Sequence, residues 1–234
     1  ELPVEQLKPM YWDCSVVYEG DGKRYLIGAT NVDKAFEKKN LEDFWAKNTI
    51  KLDNHIIFYP YMTVKGRLAF QCREEEKYDT LGFRIKERVA AALYWLLKKR
   101  LSKKNIYLVF EKYCEMAQDN GYYFFKYCME NHVEEEMGKE IYYVMDKNSP
   151  DYAKVKEYGN NVIPFMSVKH MVYLLASKLL ISTDLRAHGY AWRCRGSILK
   201  RYLDSKKMVF LQHGVIALKR IDFVYAAGKW GQCD

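Results

Sequence analysis

Residues 161–184 read NVIPFMSVKHMVYLLASKLLISTD, and the alternation within them decides the fold. NVIPF (161–165) is a short apolar run, Ser167 stands where a helix cap is needed before VKHMVYLLASK (168–178), and LLIST (179–183) is a second apolar run. A strand, a capped helix and a strand in such close succession predict a right-handed crossover between parallel neighbours. The same alternation extends in both directions. Upstream, NIYLVF (105–110) reads as a buried strand, Asp119-Asn120 as the cap of GYYFFKYCMENH (121–132), EIYYVMD (140–146) as a strand, and Pro150-Asp151 as the start of a helix reaching about Tyr158. Downstream, a helical stretch from Gly196 to Asp204 precedes MVFLQ (208–212). Residues 105–234 are therefore expected to form an α/β domain with a Rossmann-like parallel sheet.

Ahead of this domain the pattern is different. Between residues 11 and 73 the runs CSVVYEG, KRYLIGATN, IKLDNHIIFYPYMTV and GRLAFQCRE are β-branched and aromatic, and turn residues separate them. That suits antiparallel strands. Glu19-Gly20-Asp21-Gly22 and Val64-Lys65-Gly66 read as turns, Asn40 to Ala46 as a short helical turn, and His55 as an ordinary strand residue. Residues 1–80 are thus a small β-rich module. Residues 81–104 switch to helix, with Val89, Leu93, Leu96, Leu97 and Leu101 at helical spacing and three alanines at 90–92.

Composition narrows the class. With 234 residues, 49% hydrophobic, 13 Gly and 5 Pro, the chain is globular rather than disordered or collagenous. No run reaches the roughly 18 apolar residues of a spanning helix, and the acidic start lacks the pattern of a secretory leader. The six cysteines, at 14, 72, 114, 128, 194 and 233, stand far apart without a CxxC pair. They read as reduced thiols, and no metal site or cofactor is expected.

The formal charge of +8 is concentrated in two stretches. From Arg84 to Lys104 eight basic residues face the single Glu87, a net of +7; from Arg186 to Arg220 nine face Asp204, a net of +8. The first coincides with the helix, where Lys98, Lys99, Arg100 and Lys103 adjoin an apolar body carrying Tyr94 and Trp95. A basic amphipathic helix of this kind suits an anionic membrane surface as well as it suits a linker packed on the next domain. No nucleic-acid motif accompanies the charge, so nucleic acid is not expected as a partner.

Ligands of open α/β sheets bind beyond the carboxyl ends of the strands. That rule selects Glu111, Asp146, Asp184 and the pair His213-Gly214, each just after a strand. It also selects the loop His188-Gly189-Tyr190 with Trp192, Arg193 and Arg195, whose guanidinium forks match phosphate oxygens. Neither GxxxxGK[ST] nor GxGxxG is present, which argues against nucleotide hydrolysis and dinucleotide redox chemistry.

FEKY (110–113), DN ahead of a Tyr/Phe-rich helix, IYYVMDKNSPDY, LLASKLLISTD and KKMVFLQHGVIALKRID occur in an order that resembles the CDP-glycerol glycerophosphotransferase family, the bacterial teichoic-acid primases and polymerases. The resemblance runs from about Lys104 to Asp222 and is most specific at the strand followed by QHG. It implies a GT-B fold and transfer of glycerol phosphate from CDP-glycerol to a polyprenyl-linked acceptor at the cytoplasmic face of the membrane. It implies His213 as the general base, Gly214 as the motif glycine, and Asp184 and Glu111 as residues that position the acceptor or order the loops; Arg193 and Arg195, selected from the loop itself, are expected to join them in binding the acceptor. The second, nucleotide-holding GT-B domain has no counterpart before Asp234, so the chain is expected to be the acceptor half and inactive alone. Two alternatives are another GT-B glycosyltransferase using a nucleotide sugar, and a non-catalytic module binding anionic lipid or polymer.

Overall fold

The computed structural model describes residues 10–28, 48–52, 55–63, 67–191 and 197–212. These residues fall into two compact units, the first reaching to Phe83 and including Ser197, the second beginning at Arg84 and resuming at Ile198.

The first unit contains β1 (Met10–Asp13), β2 (Ser15–Gly20), β3 (Lys23–Gly28), β4 (Ile50–Lys51), β5 (Ile56–Met62) and β6 (Leu68–Glu74). Four of them form an antiparallel sheet in the order β1-β6-β5-β4, and β2 pairs with β3 as a separate hairpin. The hairpin turn is the expected one: Asp21 and Gly22 both have positive φ, 53° and 69°, as a two-residue turn matched to strand twist requires. The run IKLDNHIIFYPYMTV does not form one strand. It reverses between β4 and β5, which pair antiparallel, and His55 sits at the reversal with φ 60° rather than in a strand. Its Nδ1 lies 3.4 Å from Glu75 Oε2. A cavity of about 320 Å³ in this unit is lined by Thr49, Lys51, Ile57, Glu75, Asp79, Thr80 and Leu81. The turns expected at 40–46 and 64–66 lie outside the described residues.

The helix α1 (Leu81–Leu101) leads into the second unit. There follow β7 (Ile106–Phe110), α2 (Asn120–Glu130), α3 (Val133–Met137), β8 (Glu140–Met145), α4 (Tyr152–Val155), β9 (Val162–Pro164), α5 (Val168–Ala176), β10 (Leu179–Ser182), α6 (Ile198–Asp204) and β11 (Lys207–Phe210). All five strands are parallel, in the order β11-β10-β7-β8-β9. Counted along this unit that is fifth, fourth, first, second, third, so the winding direction reverses between β7 and β10. The protein is α/β, with a Rossmann-like parallel sheet preceded by an antiparallel β-rich module. Ile106, Leu108, Val109, Ile141, Val144, Met145, Leu180 and Ile181 are buried. Helices cover both faces of such a sheet, which is why its strands read as unbroken apolar runs.

Both expected helix caps are present. Ser167 Oγ accepts the His170 N–H at 3.1 Å, and Asp119 Oδ1 accepts the Asn120 N–H at 2.8 Å. The helix expected over 121–132 instead stops at Glu130, since His132 adopts φ 52° and the chain restarts as α3. In α1 the buried residues are Glu87, Ala90 and Leu101. Val89, Leu93 and Leu97 are exposed, Trp95 is 59% exposed and Leu96 80%, so most of its apolar stripe faces solvent. Among the described residues, no helix is long and apolar enough to cross a membrane.

Candidate functional site at the strand reversal

Where the winding reverses, the connections leaving β7 and β10 separate to opposite faces and open a crevice at the carboxyl edge. Strands β7 and β10 are direct neighbours, with Phe110 opposite Ser182. The residues that follow them, Glu111 and Thr183-Asp184, therefore flank the crevice.

Glu111 is 2% exposed. Its Oε1 accepts the N–H groups of Tyr122 at 2.7 Å and Asp119 at 3.1 Å, and its Oε2 that of Gln118 at 3.1 Å. These are backbone amides at the amino end of α2, which a helix cannot satisfy internally. The carboxylate thus serves as an anion bound at a helix N-terminus. Burial pushes its pKa up, while the amide hydrogen bonds hold it down. Gly121 makes room for it, since a Cβ there would stand 3.1 Å from Glu111 Cγ. Both oxygens of Glu111 are thus engaged in positioning α2.

After Glu111 the backbone makes a tight turn through Tyr113 and Cys114, at φ 53° and 57°. Two successive non-glycine residues in the left-handed region are unfavourable and are held here from several sides. Cys114 is fully buried, its Sγ donates to the His188 carbonyl at 3.5 Å, and its own carbonyl accepts the Asp146 N–H at 2.7 Å. Burial pushes the Cys114 thiol well above its ordinary range, so it is an inert anchor. Tyr143 Oη donates to the Met116 carbonyl at 2.7 Å, and Asp151 Oδ2 accepts the Ala117 N–H at 3.0 Å.

On the other flank, the Asp184 N–H donates to Ser182 Oγ at 3.1 Å, and Asp184 Oδ1 accepts the Leu185 N–H at 2.7 Å. Oδ1 also lies 3.3 Å from His188 Nδ1. The His188 ring rests on Tyr113, centroid to centroid 4.1 Å. Gly189 is required by packing, because a Cβ would stand 2.8 Å from Phe110 Cζ. The crevice thus brings together Asp184, His188 and Tyr113, with Glu111 behind them. Asp146 turns away into its own loop, where Oδ1 accepts the Asn148 N–H at 2.9 Å.

His213, Gly214, Arg193 and Arg195 lie outside the described residues. The last described residue before His213 is Gln212, whose carbonyl accepts from Asn120 Nδ2 at the start of α2. Lys98, Lys99 and Arg100 occupy the last turn of α1, and Lys103 follows its end. Among the described residues, His132, Glu134 and Glu135 bring potential metal ligands within 4.8 Å of one another. They sit at the start of α3, which leads into β8, on the amino edge of the sheet and away from the crevice. Tyr113 was not singled out from the sequence by itself: its importance comes from a left-handed backbone and a ring contact across 75 residues, neither of which has a local sequence signal.

The chain is similar to the minor teichoic acid biosynthesis protein GgaB of Bacillus subtilis (strain 168), 27% identical over 180 residues. The match covers 69% of this chain and 19% of GgaB, so the chain spans about one fifth of the length of that relative. No family model matches the chain. No solved structure matches it either. The likeness is to a protein of teichoic acid biosynthesis.

Proposed function

We propose that the chain is the acceptor-side part of a transferase of teichoic acid biosynthesis, moving glycerol phosphate from CDP-glycerol to a hydroxyl of a polyprenyl-linked acceptor. The observation that carries the reading is the likeness to GgaB across 69% of the chain, in a fold whose strand reversal opens a crevice at the carboxyl edge. The motif resemblance at QHG supports the same reading.

In this reaction His213 takes the proton from the acceptor hydroxyl. The hydroxyl oxygen forms a bond to the phosphorus bearing glycerol, the pyrophosphate bond to that phosphorus breaks, and CMP leaves. Gly214 is the motif glycine next to the base. Arg193 and Arg195 contribute positive charge toward acceptor phosphates, and Asp184 helps to position the acceptor.

The exposed apolar stripe of α1, with Lys98, Lys99, Arg100 and Lys103 at its end, supports docking on the anionic cytoplasmic leaflet, where a lipid-linked acceptor resides. Such a helix lies in the interface without spanning it.

The test is transfer of radiolabelled glycerol phosphate from CDP-glycerol to a lipid-linked acceptor by the full-length gene product. His213→Ala should lower turnover by about 100-fold or more, the usual contribution of a general base. Unchanged turnover removes His213 from the reaction. Transfer from a nucleotide sugar, with none from CDP-glycerol, replaces the donor.

A further inference from the structure

Two histidines of the second unit differ in how they are satisfied. His170 is 1% exposed. Its Nδ1 accepts the Met166 N–H at 3.1 Å. His188 is also largely enclosed, its side chain 12% exposed. Its Nδ1 is buried and faces Asp184 Oδ1 at 3.3 Å, an ion-pair contact without hydrogen-bond geometry, and its Nε2 has no partner among the described residues.

An imidazole set against Asp184 through Nδ1, with Nε2 unpartnered among the described residues, can bond a ligand at the carboxyl edge of the reversal. The surrounding structure holds it in place. Its carbonyl receives Cys114 Sγ, and its face is covered by Tyr113. Tyr113 itself keeps a left-handed backbone while its side chain is 53% exposed. Burial of that ring therefore does not explain its conformation. Strained backbone that presents a polar side chain to solvent is characteristic of ligand sites. The Lys112 ammonium stands 6.0 Å from the Tyr113 ring centroid and brings positive charge to that ring.

We propose that His188 and Tyr113 form a subsite for the phosphorylated polyol of the acceptor, with Asp184 as the residue that orients the imidazole. The proposal deepens the transfer reading and rests on it for the identity of the polyol. The imidazole and the phenol hydrogen-bond to the ligand, the ring faces support its carbon chain, and Lys112 faces its phosphate. The subsite needs neither His213 nor the nucleotide.

Histidine side-chain NMR of the 234-residue chain tests this, with sn-glycerol 3-phosphate, glycerol and inorganic phosphate as probes. Glycerol 3-phosphate should move the His188 ring signals and leave those of His170 in place, and glycerol should move neither. His188→Gln should weaken binding at least tenfold, and Tyr113→Phe should weaken it several-fold without altering the thermal midpoint. His188 signals that stay unmoved at tens of millimolar, or inorganic phosphate binding as well as glycerol 3-phosphate, overturn the proposal. In the full-length protein Tyr113→Phe should raise the KM for acceptor and spare kcat; an unchanged KM likewise overturns the subsite. Absence of any transfer from CDP-glycerol by the wild type would instead overturn the transfer reading, while the titration still decides the subsite.

Discussion

Protonating His170 should unfold the second unit from within. Burial pushes its pKa down to about 3, only partly offset by its hydrogen bond to the Gly189 backbone. The unfolded chain titrates near the ordinary value of 6.5. Below that pH the unfolded state binds a proton that the folded state refuses, so stability is lost as pH falls through the window from 6.5 toward 3. Between pH 6.5 and pH 5 the loss from this one group is about 2 kcal/mol, a large share of a domain's stability. Protonated Nδ1 also ceases to accept the Met166 N–H, which leaves a buried amide without a partner. Urea unfolding across this pH range, in wild type and His170→Gln, isolates the effect: the variant should be less stable at pH 7, and its stability should fall less steeply. Parallel slopes would refute the reasoning. So would a His170 ring signal that titrates near pH 6 in the folded protein, a readout that does not depend on whether the variant folds.

Two further perturbations address the crevice and the helix. Glu111→Ala leaves the amides of Gln118, Asp119 and Tyr122 without their acceptor and should cost about 3 kcal/mol or more, measured by urea unfolding; a loss within about 0.5 kcal/mol would show that water replaces the carboxylate. Mutating Lys98, Lys99, Arg100 and Lys103 to Glu should abolish sedimentation with vesicles containing anionic phospholipid, while wild-type binding weakens with salt. Retained binding of the variant at low and moderate salt removes the electrostatic account of α1.

How far the sequence was legible follows from the range of each signal. The five parallel strands lie where the apolar runs stand, because burial on both faces writes a continuous signature into each strand. The Ser167 and Asp119 caps and the Asp21-Gly22 turn were readable for a similar reason: each depends on residues a few positions apart. The break at His132 and the reversal at His55 were not, since both place histidine at positive φ, which the residue tolerates without announcing. The α1 pattern gave the helix and its stripe. It did not show that the stripe faces solvent, because periodicity states which residues share a face and not what covers that face. The strand ends are readable from their apolar runs, and Asp184 Oδ1 and His188 Nδ1 stand 3.3 Å apart beyond one of them. Tyr113 depended on a long-range contact that no local pattern encodes.

The occupied amino end of α2 bears on where a nucleotide can bind. In dinucleotide folds the first strand-to-helix turn is glycine-rich, and the pyrophosphate sits on the free amides of the helix that follows. In this chain the strand in that position is β7 and the helix is α2, but Glu111 already fills the anion position with its own carboxylate. Gly121 gives its space to that side chain rather than to a phosphate. A nucleotide diphosphate would have to displace a buried carboxylate and meet its charge at close range. Titration of the 234-residue chain with CMP and with CDP-glycerol should therefore give no binding tighter than millimolar by calorimetry, and the backbone amide signals of Gln118, Asp119 and Tyr122 should not move. Micromolar affinity accompanied by shifts at those three amides would put the nucleotide on α2, and the assignment of this chain to the acceptor side would have to be reversed.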